Sequence, residues 1–515
     1  MDEYLIELQS GGIRFRDKWQ FELKSDLFPF SESRTNIHTQ EFYIFIPNSL
    51  QINDQTYKKE EFYRDQTNLI RFKTPQFSLE EMTSLVDQKC PLGKISSYLK
   101  RGSLPEDIEA IQNELKLLGD IFNSALRNQV GDFIKRLPYL VDSPSSDEFA
   151  KDFSKFCEEL DNFLKAFKKV EKESLASYSD PMLRECFFYI EEFLNREIYD
   201  YLANFLNRLR KTESAELASI DRLVCEILIR AKRNRQEPIK EESELSKDKN
   251  ADEYILYRKG LLNKFVIDPL LLKTNRSSVD QRYRNVIGGI PAAVAMLIYL
   301  LLFIWQGNVF LFNSEPFILL TVVIYVLKDR LKEELRFLSY RQAAKWFSDY
   351  TTEIHSNGQI LGDLRESFSF VNEHQIPKEI LSIRNKEFHG IMEAFQRPEQ
   401  VIYYKKTVRI QKKPKMIETR FYGLSIIFRF DIHHFLSKTE DPYQTYLDLD
   451  EMTLAIRKLQ LPRVYHLNII MKTTSTLKDE SQKIELKKFR LVVDKTGIKR
   501  VEPVHSVKSL SPVPF

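Results

Sequence analysis

Imidazoles bind metals and move protons near neutral pH, so the chain's eight histidines are the first place to look for chemistry. Two of them are adjacent, in the run Asp431-Ile432-His433-His434. On a strand, Asp431 and His433 share one face while His434 points to the other, so the run offers two ligands to one ion. A structural or catalytic zinc takes three or four protein ligands, and no partner at matching spacing completes this set. Asp431 and His433 are the only metal candidates, weighed against ordinary hydrogen-bonded or surface residues. His374 and His389 lack the four-residue helical spacing of HExxH, which argues against a zincin.

Nucleophiles and phosphate cradles are equally sparse. Glycine occurs 15 times, and neither a Walker A nor a G-x-S-x-G pattern is present. Cys90, Cys157, Cys186 and Cys225 are isolated singles with no C-x-x-C, and three lie in apolar helical patterns where a buried free thiol is ordinary. No catalytic residue is named on this basis, and no cofactor is expected.

One charged stretch stands out. Lys405, Lys406, Arg409, Lys412, Lys413, Lys415 and Arg420 face only Glu418, with Tyr403, Tyr404 and Phe421 at the borders. Beside a cytoplasmic leaflet such a patch meets anionic headgroups, each basic residue contributing about 1 kcal/mol at the surface. Single-stranded nucleic acid is the rival partner. The overall balance of 77 Lys plus Arg against 74 Asp plus Glu argues against it. The plain alternative is a solvated strand face guarded by lysines against edge pairing.

These residues must be held by something, and the most informative element is the uncharged run from Val286 to Trp305. As a helix, twenty residues cover the roughly 30 Å of a bilayer's hydrocarbon core. A second run, Pro316 to Leu327, follows a polar interruption, so the pair reads as a two-helix transmembrane hairpin over 286–327. The second run is short at about 18 Å. It is lengthened by continuing past Leu327, where Lys328 and Arg330 snorkel to the headgroups. Arg276, Arg282 and Arg284 precede the pair, and Lys328, Arg330, Lys332 and Arg336 follow it. The connection Gln306 to Glu315 has no Lys or Arg. The positive-inside rule then puts both termini in the cytoplasm, with the chain integral to the inner (cytoplasmic) membrane. Gly288 with Ala292 and Gly289 with Ala293 are small-xxx-small pairs that let helices approach closely, either between copies or within the hairpin.

The remaining chain is expected to be α+β. Residues 1–77 read as a β-rich region: Tyr4 to Leu8, Ile13 to Arg16, Trp19 to Leu23, Phe42 to Ile46 and Leu69 to Phe72 are short β-branched and aromatic runs, with a small helix between Ser49 and Asp65. Residues 78–236 carry four amphipathic helices of a bundle, two of them capped at Ser103 and Ser145. One helix has a Phe-rich seam from Phe149 to Val170. A linker over 237–250 and a juxtamembrane helix over 251–285 lead into the hairpin. Beyond it, 328–395 is expected to be a helical stalk reaching about Ile354, followed by a helical or irregular connector. The last segment, 396–515, is a β-rich C-terminal domain, which strands from the N-terminal region are free to complete.

The expected function is a membrane-anchored, cytoplasm-facing scaffold that assembles partners, as a homo-oligomer or with other proteins. The alternatives are a ligand-triggered effector whose hairpins perturb or permeate the membrane, and a membrane-bound enzyme with an unrecognised site.

Overall fold

A computed structural model describes residues 13–28, 36–101, 107–139, 146–212, 218–243, 251–309, 314–346, 348–356, 359–385, 399–410, 421, 423–450, 452, 455–476 and 481–510. The expected strand Tyr4 to Leu8, the caps at Ser103 and Ser145, and Lys412, Lys413 and Lys415 lie outside these residues. In chain order the elements begin with strands β1 (Ile13–Phe15), β2 (Gln20–Leu27) and β3 (Asn36–Pro47), helix α1 (Lys59–Asp65) and strand β4 (Gln66–Phe72). Helices follow: α2 (Leu79–Met82), α3 (Pro91–Lys100), α4 (Asp107–Arg136), α5 (Ser146–Ser177), α6 (Pro181–Lys211), α7 (Ala218–Ser243) and α8 (Ala251–Ile267). Strand β5 (Lys273–Ser278) leads into helices α9 (Val279–Val309) and α10 (Glu315–Trp346). Then come β6 (Tyr350–Ser356), β7 (Gln359–Val371), α11 (Lys378–Asn385), β8 (Glu399–Ile410), β9 (Leu424–Asp431) and α12 (His433–Leu436). The chain closes with β10 (Tyr443–Leu449), β11 (Ile456–Pro462), β12 (Tyr465–Thr476), β13 (Gln482–Asp494) and β14 (Gly497–Leu510).

The protein is mixed α and β with large sheets, and it divides into two compact units. The first holds residues 1–70, 272–415 and 425–515, and the second holds 71–271 and 416–424. In the first unit, eight strands form a sheet in the order β14-β13-β12-β3-β8-β7-β6-β5, and β1-β2-β9-β4 form another. Strand β3, from the N-terminal region, sits between β12 and β8 of the C-terminal half, antiparallel to both. Inward residues alternate along each strand, as a half-buried sheet requires. They include Phe42 and Ile44 on β3, Tyr404 on β8 and Phe428 and Phe430 on β9, all buried. Phe42 stacks on Phe428 at 4.7 Å between ring centroids, and Phe62 of α1 stacks on Phe368 of β7 at 4.5 Å. The first pair joins the two sheets and the second packs α1 on the larger one, and offset aromatic pairs add about 0.5–1.5 kcal/mol each beyond their burial.

In the second unit the Phe-rich seam of α5 is covered by its own neighbours. Phe153 stacks on Phe205 of α6 at 4.9 Å, and Phe163 on Phe122 of α4 at 4.9 Å. Apolar faces at heptad spacing are thereby used up inside the bundle.

Strands β5 and β6 are antiparallel partners, with Ser278 opposite Tyr350 and Lys273 opposite His355. The paired helices α9 and α10 therefore emerge as an insertion between two adjacent strands at one edge of the large sheet. The expected helix to about Ile354 ends instead at Trp346. From Tyr350 the chain is a strand, because Thr351, Thr352 and Ile354 are β-branched and find partners on both β5 and β7. The connector expected to be helical or irregular begins with β7, thirteen residues long. Helix α7 runs into the expected linker as far as Ser243. Among the described residues one segment, Gly289–Val309, is long and apolar enough to cross a membrane.

A two-stranded ribbon, β10 with β11, went unforeseen because its alternation is mixed. It is exposed along both strands, with Tyr446, Leu447, Leu449 and Ile456 each more than half exposed.

The aromatic stack between the sheets generates a stability prediction. Phe428→Ala, at a fully buried ring, should lower the unfolding free energy by about 3–5 kcal/mol. Leu459→Ala on the exposed ribbon should change it by less than about 0.5 kcal/mol. Urea titration followed by tryptophan fluorescence separates the two, and equal effects would contradict this packing.

Candidate functional site

Pairing in the large sheet aligns one row of residues across seven strands. Glu485 of β13 lies opposite Thr473 of β12, Thr473 opposite Gln40 of β3, and Gln40 opposite Lys406 of β8. The row continues from Lys406 to Glu366 of β7, to Tyr350 of β6 and to Ser278 of β5. Thr473, Gln40, Lys406 and Glu366 are buried, a run of polar groups where a sandwich core is normally apolar. One end of the row is the root of the helical hairpin, and the other lines a cleft.

At the root, Glu366 is the organising group. Its Oε1 accepts from the Gln66 amide at 2.9 Å, the Asn68 amide at 2.7 Å and the Tyr404 hydroxyl at 2.7 Å. Its Oε2 faces the Arg276 guanidinium at 3.4 Å. Arg276, on the strand entering α9, lies over the rings of Tyr350 at 4.1 Å and Tyr63 at 5.1 Å. On the strand side of α10, Asp349 accepts from Tyr63 Oη at 2.8 Å, from the Phe368 backbone N–H at 2.7 Å and from Lys59 Nζ at 2.9 Å. Asp349 thus ties one end of the hairpin to α1 and β7 by charge-assisted hydrogen bonds, and Arg276 ties the other to β7 by an ion pair and to α1 by a cation–π contact.

Lys406 sits next in the row. Its Nζ donates to Asn68 Oδ1 at 3.2 Å and lies above the rings of Phe42 and Phe428, at 5.4 and 5.2 Å. Burial pushes its ammonium down to about 7, and the Glu366 carboxylate pulls part of the way back.

At the far end, β2, β3, β12 and β13 enclose a cleft of about 510 Å³. His38, 2% exposed, forms part of its wall, and its Nδ1 is 2.8 Å from Ser475 Oγ. That is the distance of a nucleophile from its base. Burial first, and then the Lys406 charge, push the imidazole down to about 4, so it is neutral and a feeble base at pH 7. Its Nε2 is buried with no hydrogen-bond partner among the described residues, so no carboxylate orients it as a triad requires. This geometry suits binding better than hydrolysis.

The residues singled out by spacing are distributed differently. Asp431 ends β9 and His433 begins α12, so the two do not share a strand face as expected. Asp431 Oδ1 instead accepts the His433 backbone N–H at 2.8 Å, and Oδ2 accepts from Gln20 at 3.1 Å. The His433 ring packs edge-on against Trp19 at 4.7 Å. No group of three or more metal-ligating side chains occurs among the described residues.

The basic patch also separates: Lys405 is exposed, Lys406 is buried and Arg409 is half-buried. Alternation along β8 sends neighbours to opposite faces, so Lys406 takes no part in a surface patch. Gly289 and Ala293 are exposed on α9, and a Cβ added to Gly289 would meet nothing within 4 Å, whereas Ala292 is half-buried. Gly288 belongs to the same helix. Spacing missed Glu366, Gln40 and His38, which lack any motif, and marked Arg276 only as a basic flank of the apolar runs. The only available signal was a lysine at an inward position of the alternation Tyr404, Lys406, Val408, Ile410.

No family model, curated protein or solved structure matches the chain. The chemistry is therefore read from the geometry alone.

Lys406 sets a pH dependence. In the unfolded chain it holds its proton to about pH 10, but in the fold it releases it near 7. Between those values the unfolded state binds more protons, so raising the pH stabilises the fold. Relative to Lys406→Met, the native chain should gain about 1 kcal/mol per pH unit from pH 7 to 9 and nothing below pH 6. Urea midpoints at four pH values test this, and a constant difference would contradict it.

Proposed function

We propose that the chain is a membrane-anchored protein that faces the cytoplasm and assembles partners, with α9 and α10 as its anchor. The observation that carries this reading is the exposure of apolar side chains on both helices. Ile290, Leu297, Leu301 and Ile304 on α9, and Leu319, Val322 and Val326 on α10, are each more than half exposed. Only 17% of Gly289–Val309 is buried within the chain, whereas a core helix of a soluble protein is mostly buried. Apolar surface this extensive on a soluble protein draws a partner, and a bilayer covers a hairpin on all sides.

Contacts inside the hairpin suit lipid surroundings. Gln306, the polar side chain buried between the helices, donates to the Phe317 carbonyl at 2.6 Å and to Thr321 Oγ1 at 2.9 Å. Lys328 lies over the rings of Tyr325 at 3.9 Å and Tyr299 at 5.5 Å, so aromatic faces shield its ammonium where α10 passes the apolar run of α9. The basic flanks Arg276 and Lys332 on the chain's two crossings, with none between Gln306 and Glu315, favour the inner (cytoplasmic) membrane with both termini inside.

Self-association has two supports. Gly289 and Ala293 present a smooth strip on the outside of α9, and the β10–β11 ribbon leaves apolar residues uncovered on both faces. An isolated two-stranded ribbon is marginally stable by itself, so a second copy or another protein stabilises it by docking. Anionic lipid remains a partner for the exposed Lys405, and no feature favours nucleic acid.

A ligand-triggered effector is the second reading. It is favoured by the polar row, which joins a cleft to the root of the hairpin within one sheet.

Because Ser278 and Tyr350 are cross-strand partners, residues 279–348 can be replaced by Asn-Gly, which leaves a three-residue hairpin loop ending in Asp349. The native chain should sediment with membranes and resist carbonate extraction, and the shortened chain should stay in the supernatant. A native chain that is soluble without detergent would sink the anchor.

A further inference from the structure

The buried row holds an arrangement that neither anchoring nor assembly uses. A lysine, an asparagine and a carboxylate meet between the two sheets of the first unit: Lys406 on β8, Asn68 on β4 and Glu366 on β7. Lys406 Nζ is 3.2 Å from Asn68 Oδ1, and Asn68 Nδ2 is 2.7 Å from Glu366 Oε1.

We propose that Lys406 and Asn68 condense into an intramolecular amide cross-link, with Glu366 as the catalytic group and ammonia as the leaving product. The proposal is independent of the anchoring reading.

Three observations converge on it. First, the nucleophile is available. An ammonium has no lone pair to attack with, but burial pushes Lys406 down to about 7, so about half of it is free amine at neutral pH. An amine is activated by desolvation in apolar surroundings, and here the rings of Phe42 and Phe428 lie 5.4 and 5.2 Å from Nζ.

Second, the amide is oriented for attack. An ionised carboxylate only accepts, so Nδ2 of Asn68 faces Glu366 and Oδ1 is turned to Lys406. Tyr404 Oη, 2.6 Å from the same Nδ2 and 2.7 Å from Glu366 Oε1, holds that orientation. Nζ therefore touches the oxygen of the carbonyl whose carbon it must reach. Reactants held in contact have already lost the translational freedom that slows a bimolecular step.

Third, the catalyst touches the leaving group. Glu366 is the cross-strand neighbour of Lys406, and it accepts from the nitrogen that must depart. Gln66 at 2.9 Å and Arg276 at 3.4 Å hold its carboxylate in place.

The step balances within the chain. The Nζ lone pair attacks Asn68 Cγ, and the carbonyl π electrons move onto Oδ1. Glu366 takes the proton that Nζ gives up and passes it to Nδ2. The carbonyl re-forms, and the electron pair of the Cγ–Nδ2 bond leaves with ammonia. An amine and a primary amide become a secondary amide and ammonia, so no oxidant or cofactor is consumed. Asn68 is half-buried, which gives the ammonia a way out.

The product joins β4 of one sheet to β8 of the other, between residues 338 apart in the chain. Condensation consumes the amine, so the pH dependence set by Lys406 is read on chain that retains its full sequence mass.

The test is the intact mass of the full chain purified in detergent, followed by tryptic mapping. The native chain should be lighter than its sequence by one ammonia, about 17 Da, because the amine displaces that group. A branched peptide should join residues 65–71 to residues 406–409. Lys406→Met and Asn68→Ala should each have the full sequence mass. Glu366→Gln, which keeps both reactants, should condense roughly a hundredfold or more slowly. In denaturing electrophoresis the native chain, closed into a loop, should run ahead of Lys406→Met. The thermal transition of each variant reports on folding, and the native chain decides the question by itself. A native chain of full mass after days at mildly alkaline pH overturns the proposal. So does a loss of ammonia without the branched peptide, as a succinimide at another asparagine would give. A folded Glu366→Gln chain that condenses at the native rate overturns the catalytic role of Glu366.

Discussion

A carboxylate between two packed sheets has to be met by donors, and Glu366 is met on both oxygens. Three neutral donors converge on Oε1 and a guanidinium faces Oε2. Removing a buried charge's partners is far more costly than the net gain of making the pair. This network therefore fixes geometry more than it adds stability. What it fixes is the point where two strands turn into two long helices. Arg276 and Asp349 stand at the entrance and exit of the hairpin, and both are tied to α1 and β7. The apolar helices are consequently rooted in the sandwich rather than tethered to it.

The same constraint explains why polar groups are tolerated so deep in the first unit. Lys406 is buried next to Glu366 in the sheet, and its depressed affinity for protons follows from that placement. His38 is depressed in turn by burial and by Lys406. A charge at the root of the hairpin thus reaches the cleft through neighbouring strands rather than through any moving part. Low local dielectric makes such a row strongly interdependent. It gives the first unit two ends with different chemistry, one facing the hairpin and one lining the cleft.

The second unit contrasts with the first. Its phenylalanine seam closes on itself, and Glu192 sits between Arg196 and Arg258 as a buried ion pair network. Apolar surface beyond what the fold needs is concentrated in the first unit, on the hairpin and the β10–β11 ribbon.

How much of this was legible beforehand depended on how local the cause was. The sequence by itself determined the helices of the bundle, since seams such as Phe149 to Val170 repeat within one element. It also determined the apolar run of α9, whose length and lack of charge need no partner to be read. Stretches such as Phe42 to Ile46 declared themselves as strands through β-branched and aromatic alternation. Only the tertiary structure decided that β3 sits between β8 and β12, because strand pairing is non-local and one residue of slip would turn every side chain to the other face. Thr351 to Ile354, readable as the end of a helix, became a strand because β5 and β7 were there to pair with it. Glu366, Lys406, Gln40 and His38 lie far apart in the chain and carry no motif. Cross-strand register alone brought them into one site.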